Sequence, residues 1–207
     1  MSAARVEQLF SEAGAYRAGH FKLKSGRHAD RYVEKFQVLQ WPTAVTELCA
    51  MIVVAARPAG VDVVVGPTTG GVILAFEVAR QLGVRGMFAE HEQALDGTAR
   101  RVFRRGFQIG AGERVLLVDD VVTTGASLRE MIEPIEAAGG ELVEAIVLVD
   151  RTGGLHDVPS SAGRRYPAHA LWSLQLPTYD AGSESCPGCR TGVPLEAPGS
   201  SGVGSVT

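Results

Sequence analysis

From residue 61 to residue 150 the chain keeps returning to one pattern. A short apolar run meets a glycine-bearing turn, and a stretch with apolar residues at helical spacing follows. The runs are VDVVVG (61–66), VRGMFA (84–89), RVLLVD (114–119) and LVEAIVLVD (142–150). Near-continuous apolar strands of this kind are buried on both faces, which is the signature of a parallel sheet covered by helices. Between the first two runs, Val72, Ala75, Phe76, Ala79 and Leu82 are expected to form the inner face of a helix, with Glu77, Arg80 and Gln81 pointing outward. After the third run, Leu128, Met131, Ile132, Ile135 and Ala138 line a second helix. Pro134 is expected to kink it and Gly139-Gly140 to end it. The order β-α-β, loop, β-α-β predicts an α/β fold, a parallel sheet covered by helices on both faces.

Upstream, Val6, Leu9, Phe10 and Ala13 predict a helix stopped by Gly14, and Val45, Leu48, Cys49 and Ile52 predict one over about 43–56. Between them, GHFKLKSGRHADRYVEK (19–35) is basic and partly alternating, which suggests short strands and a loop. The 207 residues suffice for one domain with a real core, taken as 1–180, followed by a Gly/Pro/Ser-rich tail over 181–207 expected to be weakly structured. A net charge of −3 disfavours nonspecific nucleic-acid binding. The longest apolar stretch, around Leu48 to Ala56, is too short to span a membrane, and the first residues lack the regions of a signal peptide. With three cysteines and no disulfide framework, a cytoplasmic protein is expected.

The chemistry is expected where VLLVDDVVTTGAS (115–127) leaves the sheet. In an open parallel sheet, ligands bind at the carboxyl ends of strands. Asp119 and Asp120 stand at such an end, and Thr123, Thr124, Gly125, Ala126 and Ser127 lie where a helix begins. Unpaired N–H groups and the helix dipole suit a phosphate there. Two carboxylates would repel that phosphate but can accept hydrogen bonds from sugar hydroxyls, directly or through hydrated magnesium. A ribose 5-phosphate is the ligand these groups imply. Neither a dinucleotide G-x-G-x-x-G nor a Walker motif is present.

VLLVDDVVTTGAS resembles the 5-phosphoribosyl-1-pyrophosphate (PRPP) signature of type I phosphoribosyltransferases. GHFKLKSGRHADRY (19–32), VVGPTTGGVILAFEVARQLG (64–83) and VLVDRTGG (147–154) narrow the resemblance to the orotate phosphoribosyltransferases. The likeness covers roughly residues 6–180, and CPGCRTGVPLEAPGS (186–200) is similar to the tail of one bacterial branch. The resemblance implies a sheet of about five strands with a small N-terminal hood over about 1–40, usually in a homodimer. It implies transfer of phosphoribosyl from PRPP to orotate with Mg2+, giving orotidine 5′-monophosphate and pyrophosphate, a step of pyrimidine biosynthesis. Carried onto this chain, Asp119 and Asp120 would hold the ribose hydroxyls, and Val121 to Ser127, with Val122, Thr123, Thr124, Gly125 and Ala126 between, would complete the PRPP loop. Thr68, Thr69, Gly70 and Gly71 would meet pyrophosphate. Lys24 would bridge orotate and the phosphorylated sugar and act with the carboxylates in catalysis. Tyr32 and Val33 would offer backbone groups to the base, with Thr123 nearby, and Arg151 would grip the polar edge of orotate. Mg2+ would arrive with PRPP, with no direct protein metal ligand.

The chain departs from that pattern at two places. Many orotate enzymes carry a lysine-rich mobile loop where this one reads EHEQALDG (90–97), and Gly70 stands where some relatives place a lysine. Arg100, Arg101, Arg104 and Arg105 are the candidates to meet pyrophosphate instead, against the plainer reading of a solvated hairpin. Cys186 and Cys189 form a C-x-x-C, but a structural zinc needs about four ligands and no second cysteine pair exists. Met87 and Trp172 are expected to pack in the core or hood. Two other readings compete: a phosphoribosyltransferase for another aromatic acid or base, and a PRPP-sensing regulator. A DNA-binding regulator calls for an added helix-turn-helix, and the residues before GHFKLK hold one short helix.

Overall fold

The structure is a computed structural model and describes residues 3–23, 25–56, 60–93 and 99–198. Elements in chain order are α1 (Ala3–Glu12), β1 (Tyr16–Lys22), β2 (His28–Val33), α2 (Lys35–Leu39), α3 (Pro42–Ala56), β3 (Val63–Pro67), α4 (Gly70–Leu82), β4 (Arg85–Gln93), β5 (Ala99–Phe103), β6 (Arg114–Val122), α5 (Ala126–Ala137), β7 (Glu141–Asp150), β8 (Asp157–Pro159), β9 (Arg165–Ser173) and α6 (Pro187–Thr191). The main sheet has the order β5-β4-β3-β6-β7-β9-β8. Among the described residues it holds seven strands rather than about five. Five of them, β4-β3-β6-β7-β9, pair in parallel, and antiparallel β5 and β8 are added at the two edges. The edge strands escape a reading by apolar runs because ARRVF and DVP lack one.

Two apolar layers sandwich the sheet. One contains α1, α3 and α4 with Val64, Leu116, Val118, Ile146 and Leu148, and Trp172 packs edge-on to Phe10 and Tyr16 there. The other contains α5 with Val63, Val65, Leu117, Val147 and Met87. Alternate residues of each strand feed alternate layers, which is why the strands read as continuous apolar runs.

The α4 face differs from expectation. Leu74, Ala75, Val78 and Ala79 point inward, Phe76 is 69% exposed, and Glu77 is buried. Gly70 and Gly71 set the rotation by pressing the first turn against β3: a Cβ on Gly71 would lie 2.6 Å from Pro67 Cδ. Glu77 tolerates burial because Arg80 and Gln81 both donate to its carboxylate, at 2.8 and 2.7 Å. On α5, Leu128, Met131, Ile132 and Ile135 are buried as expected, whereas Ala138 caps the helix and is exposed.

The hood is the β1–β2 antiparallel hairpin with α1 and α2. Over 181–198 the C-terminal segment is not weakly structured. It forms α6 and runs back along the hood: Lys22 N–H donates to Glu196 O at 2.7 Å and Glu196 N–H to His20 O at 2.8 Å. His28 and Tyr179 exchange both backbone bonds. Gly, Pro and Ser here build tight turns rather than an unfolded tail.

Candidate active site

β6 carries its charge into the sheet's carboxyl edge. Asp119 is 5% exposed and Asp120 is 1% exposed, so both need partners. Asp119 accepts from the Asp120 N–H and from Ser127 Oγ, each at 2.8 Å. Asp120 accepts from the Val121 N–H at 2.6 Å, and Lys35 Nζ straddles its carboxylate at 2.9 and 2.8 Å. Burial pushes the Asp119 carboxyl up to about 7, and the charge of Asp120 pushes the same way against these hydrogen bonds and Lys35.

The chain then turns through Thr123 and Thr124, both exposed, and enters α5 with Gly125 at φ +74°. A left-handed residue at this point is the natural place for glycine. Val122 is buried and Val121 half-buried, so they anchor the loop from within the sheet. The first turn of α5, from Ala126, is therefore aimed at the same edge as the carboxylates, as a phosphate cradle requires.

The turn after β3 touches the carboxylates. A Cβ on Gly70 would fall 1.7 Å from Asp120 Oδ2, so no side chain fits where some relatives have lysine. Thr68 and Thr69 form the turn, joined by a cis peptide bond. Arg101 Nη1 donates to Thr68 Oγ1 at 2.9 Å, and its Nε lies 3.4 Å from Glu130.

The four candidate arginines of the β4–β5 hairpin part company here. Arg101 is nearly buried and reaches the Thr68 turn. Arg100 and Arg104 pair with Glu92, and Arg105 pairs with Glu90, all with exposed guanidinium groups. Pairing alternates along a strand, so Arg100 and Arg101 face opposite sides of β5. Of EHEQALDG, residues 94–97 lie outside the described residues.

Across the sheet edge, Arg151 follows β7 and its N–H donates to Val122 O at 2.8 Å. Its Nε is buried with no protein partner among the described residues, and burial lowers the guanidinium's proton affinity. A buried donor without an acceptor is costly, which fits a ligand anion. Tyr32, on β2, is close enough to sense that charge: burial and Glu34 raise its hydroxyl's pKa and Arg151 opposes them. Val33 ends β2 beside it. Asp150 holds the β7 exit, accepting from the N–H groups of Thr152 at 2.6 Å and Leu155 at 3.0 Å. The catalytic assignment of Lys24 lies outside the described residues. Sequence reasoning missed Lys35 and Glu130. Lys35 had a signal, being one of three lysines in the chain and close behind Tyr32 and Val33; Glu130 had none.

A family model described as phosphoribosyl transferase domain matches residues 37–162. The chain is 42% identical over 200 residues to an orotate phosphoribosyltransferase of Pelotomaculum thermopropionicum, covering 97% of this chain and 98% of that one. To the orotate phosphoribosyltransferase of Caldicellulosiruptor bescii it is 42% identical, covering 93% and 95% of the two chains. The crystal structure of orotate phosphoribosyltransferase from Aeropyrum pernix shares the fold, with a TM-score of 0.63 at 24% identity over 82% of this chain and 93% of that one. On sequence likeness along nearly its whole length, and with the fold in agreement, this chain belongs to the orotate phosphoribosyltransferase family.

Proposed function

We propose that this protein transfers the 5-phosphoribosyl group of PRPP to orotate, with Mg2+ bound to PRPP, and releases pyrophosphate. The observation that carries the reading is the meeting of Asp120 with the Gly70 turn. Ribose-binding carboxylates and a pyrophosphate-binding turn then lie side by side, as the two ends of PRPP's transferable ribose demand. Thr123 to Ser127 take the 5′-phosphate, Asp119 and Asp120 the ribose hydroxyls, and Thr68 to Gly71 with Arg101 the pyrophosphate. Arg151 takes the anionic edge of orotate, its planar fork suited to a carboxylate. Lys24 completes the acceptor side.

As pyrophosphate leaves, the bond from C1′ to oxygen breaks, cationic character grows at the sugar, and N1 of orotate closes on C1′ while its proton passes to the departing pyrophosphate. The buried carboxylates lie next to that cation, and Arg101 next to the departing anion. Mg2+ neutralises pyrophosphate when bound, and the Asp119–Asp120 pair is the oxygen donor set that fits a hydrated ion. Lys35 offsets the charge of Asp120.

A homodimer is part of the same reading, supported by the exposed Val54 and Phe76 on neighbouring helices α3 and α4. Light scattering checks it. A cytoplasmic location is supported by the cysteine usage; among the described residues no helix is long and apolar enough to cross a membrane. The deciding experiment follows absorbance with PRPP, Mg2+ and a panel of orotate, nicotinate, uracil, adenine and hypoxanthine. Orotate alone should be consumed. Consumption of another acceptor, or PRPP binding with no turnover, would overturn the reading.

A further inference from the structure

The two cysteines of CPGC do not stand apart from other ligand-type residues. His20 of β1 and His28 of β2 face Cys186 and Cys189, and one ligand atom from each of the four lies within 4.8 Å of every other. Cys186 Sγ is 3.5 Å from His20 Nε2 and 3.8 Å from His28 Nδ1; Cys189 Sγ is 3.5 Å and 3.2 Å from the same atoms. We propose that His20, His28, Cys186 and Cys189 bind one zinc ion as a tetrahedral structural site that staples the C-terminal segment to the hood.

The geometry supports an ion. With Zn–N near 2.05 Å and Zn–S near 2.3 Å, a tetrahedral site has N···S edges of about 3.6 Å. The four measured edges, 3.2 to 3.8 Å, bracket that value. The two imidazole nitrogens, 2.8 Å apart, need to separate by about 0.6 Å to reach the tetrahedral N···N edge. His20 is already set in the ligating tautomer. Its Nδ1 lies 2.8 Å from the Val193 carbonyl, which can only accept, so Nδ1 carries the proton and Nε2 presents its lone pair to the cluster. His20, His28 and Cys186 are all at least nine-tenths buried, and the four groups offer two thiols and two imidazoles with no carboxylate, a donor set that suits zinc over magnesium or calcium. Gly188 is required by the packing: a Cβ there would lie 2.3 Å from His20 Cγ.

The staple acts on a stretch that matters. Residues 21–27 lie between the two histidine ligands in sequence, so one ion would tie the chain on both sides of the stretch that carries Lys24. No ligand of the proposed ion belongs to the substrate site described above, and the two proposals can fail separately.

Metal analysis of the full-length protein, purified without chelator, tests the site. About one zinc per chain is expected, released when the thiols are titrated with a mercurial. Reconstitution with cobalt(II) after zinc removal should give thiolate-to-metal charge-transfer bands and the intense visible bands of tetrahedral cobalt. Cys189→Ser should lose most of the zinc, while Cys49→Ala, altering the core cysteine, should keep it. Removing zinc should lower Tm by about 5 °C or more, since metal binding is linked to folding. Three results would each overturn the proposal: wild-type protein with neither zinc nor a cobalt charge-transfer spectrum, full zinc retention in Cys189→Ser, or a Cys186–Cys189 disulfide leaving only Cys49 to react. The cobalt spectrum of the wild type decides the matter even if a variant misfolds.

Discussion

The carboxylate edge and the histidine–cysteine cluster are both buried polar groupings, but they are assembled in opposite ways. Asp119, Asp120 and Ser127 lie within nine positions of one strand–turn–helix unit and need little more than β6 and α5 to meet. His20 and Cys186 are 166 positions apart and meet only because the C-terminal segment runs back over the hood. A local site inherits its geometry from its own elements, and a dispersed one inherits it from the whole fold. Perturbing the first should therefore cost chemistry and little stability, and perturbing the second should cost stability first.

The largest expected effect breaks or confirms that contrast at its catalytic end. Asp119→Asn and Asp120→Asn should fold, by circular dichroism, yet lose roughly 10²-fold or more in kcat, because an amide NH2 cannot accept from a ribose hydroxyl. Near-normal turnover in both would sink the ribose assignment. Next, Arg151→Ala should raise the orotate KM about tenfold or more with the PRPP KM little changed, since it removes acceptor binding. A change confined to PRPP kinetics would place the acceptor elsewhere.

Arg101 sharpens the comparison within one hairpin. Arg101→Ala should lower kcat roughly tenfold with the orotate KM little changed, on the scale of one lost charge contact in the transition state. Alanine at Arg100, Arg104 or Arg105 should stay within about twofold, because exposed ion pairs contribute little. Equal effects at all four would return the hairpin to a general electrostatic role.

The smallest expected effect is a pH dependence of folding. Asp119 binds its proton more tightly folded than unfolded, so between pH 4 and about 7 the native state holds more protons. Stability from this group is therefore present at low pH and falls as pH rises through that window. Urea unfolding across it should show the decline in the wild type and a flatter profile in Asp119→Asn; parallel profiles would refute the assignment.

The parallel core and the carboxylate edge were legible because each rests on contiguous residues. Apolar runs report strands buried on both faces, and paired aspartates ahead of a hydroxyl- and glycine-bearing turn report carboxylates held at the exit of β6. Helical periodicity gave an inner face for α4 but misplaced it, since Gly70 and Gly71 rotate the helix through contacts with β3 and Asp120 that no local pattern encodes. The edge strands β5 and β8, and the parallel strand β9, were missed because ARRVF, DVP and RYPAHALWS carry no continuous apolar run.

Residue types and their order along the chain thus settled the fold class, the family resemblance and the position of the Asp119–Asp120 edge. Each of these depends on interactions between near neighbours, which periodicity and spacing record. Tertiary structure alone set Arg101 against Thr68 while Arg100, Arg104 and Arg105 pair with Glu92 and Glu90, placed Lys35 on Asp120, and brought His20 and His28 to Cys186 and Cys189. Those pairings join strands and loops far apart in sequence, and only the packing of the hood, the hairpin and the C-terminal segment on the sheet fixes the distances between them.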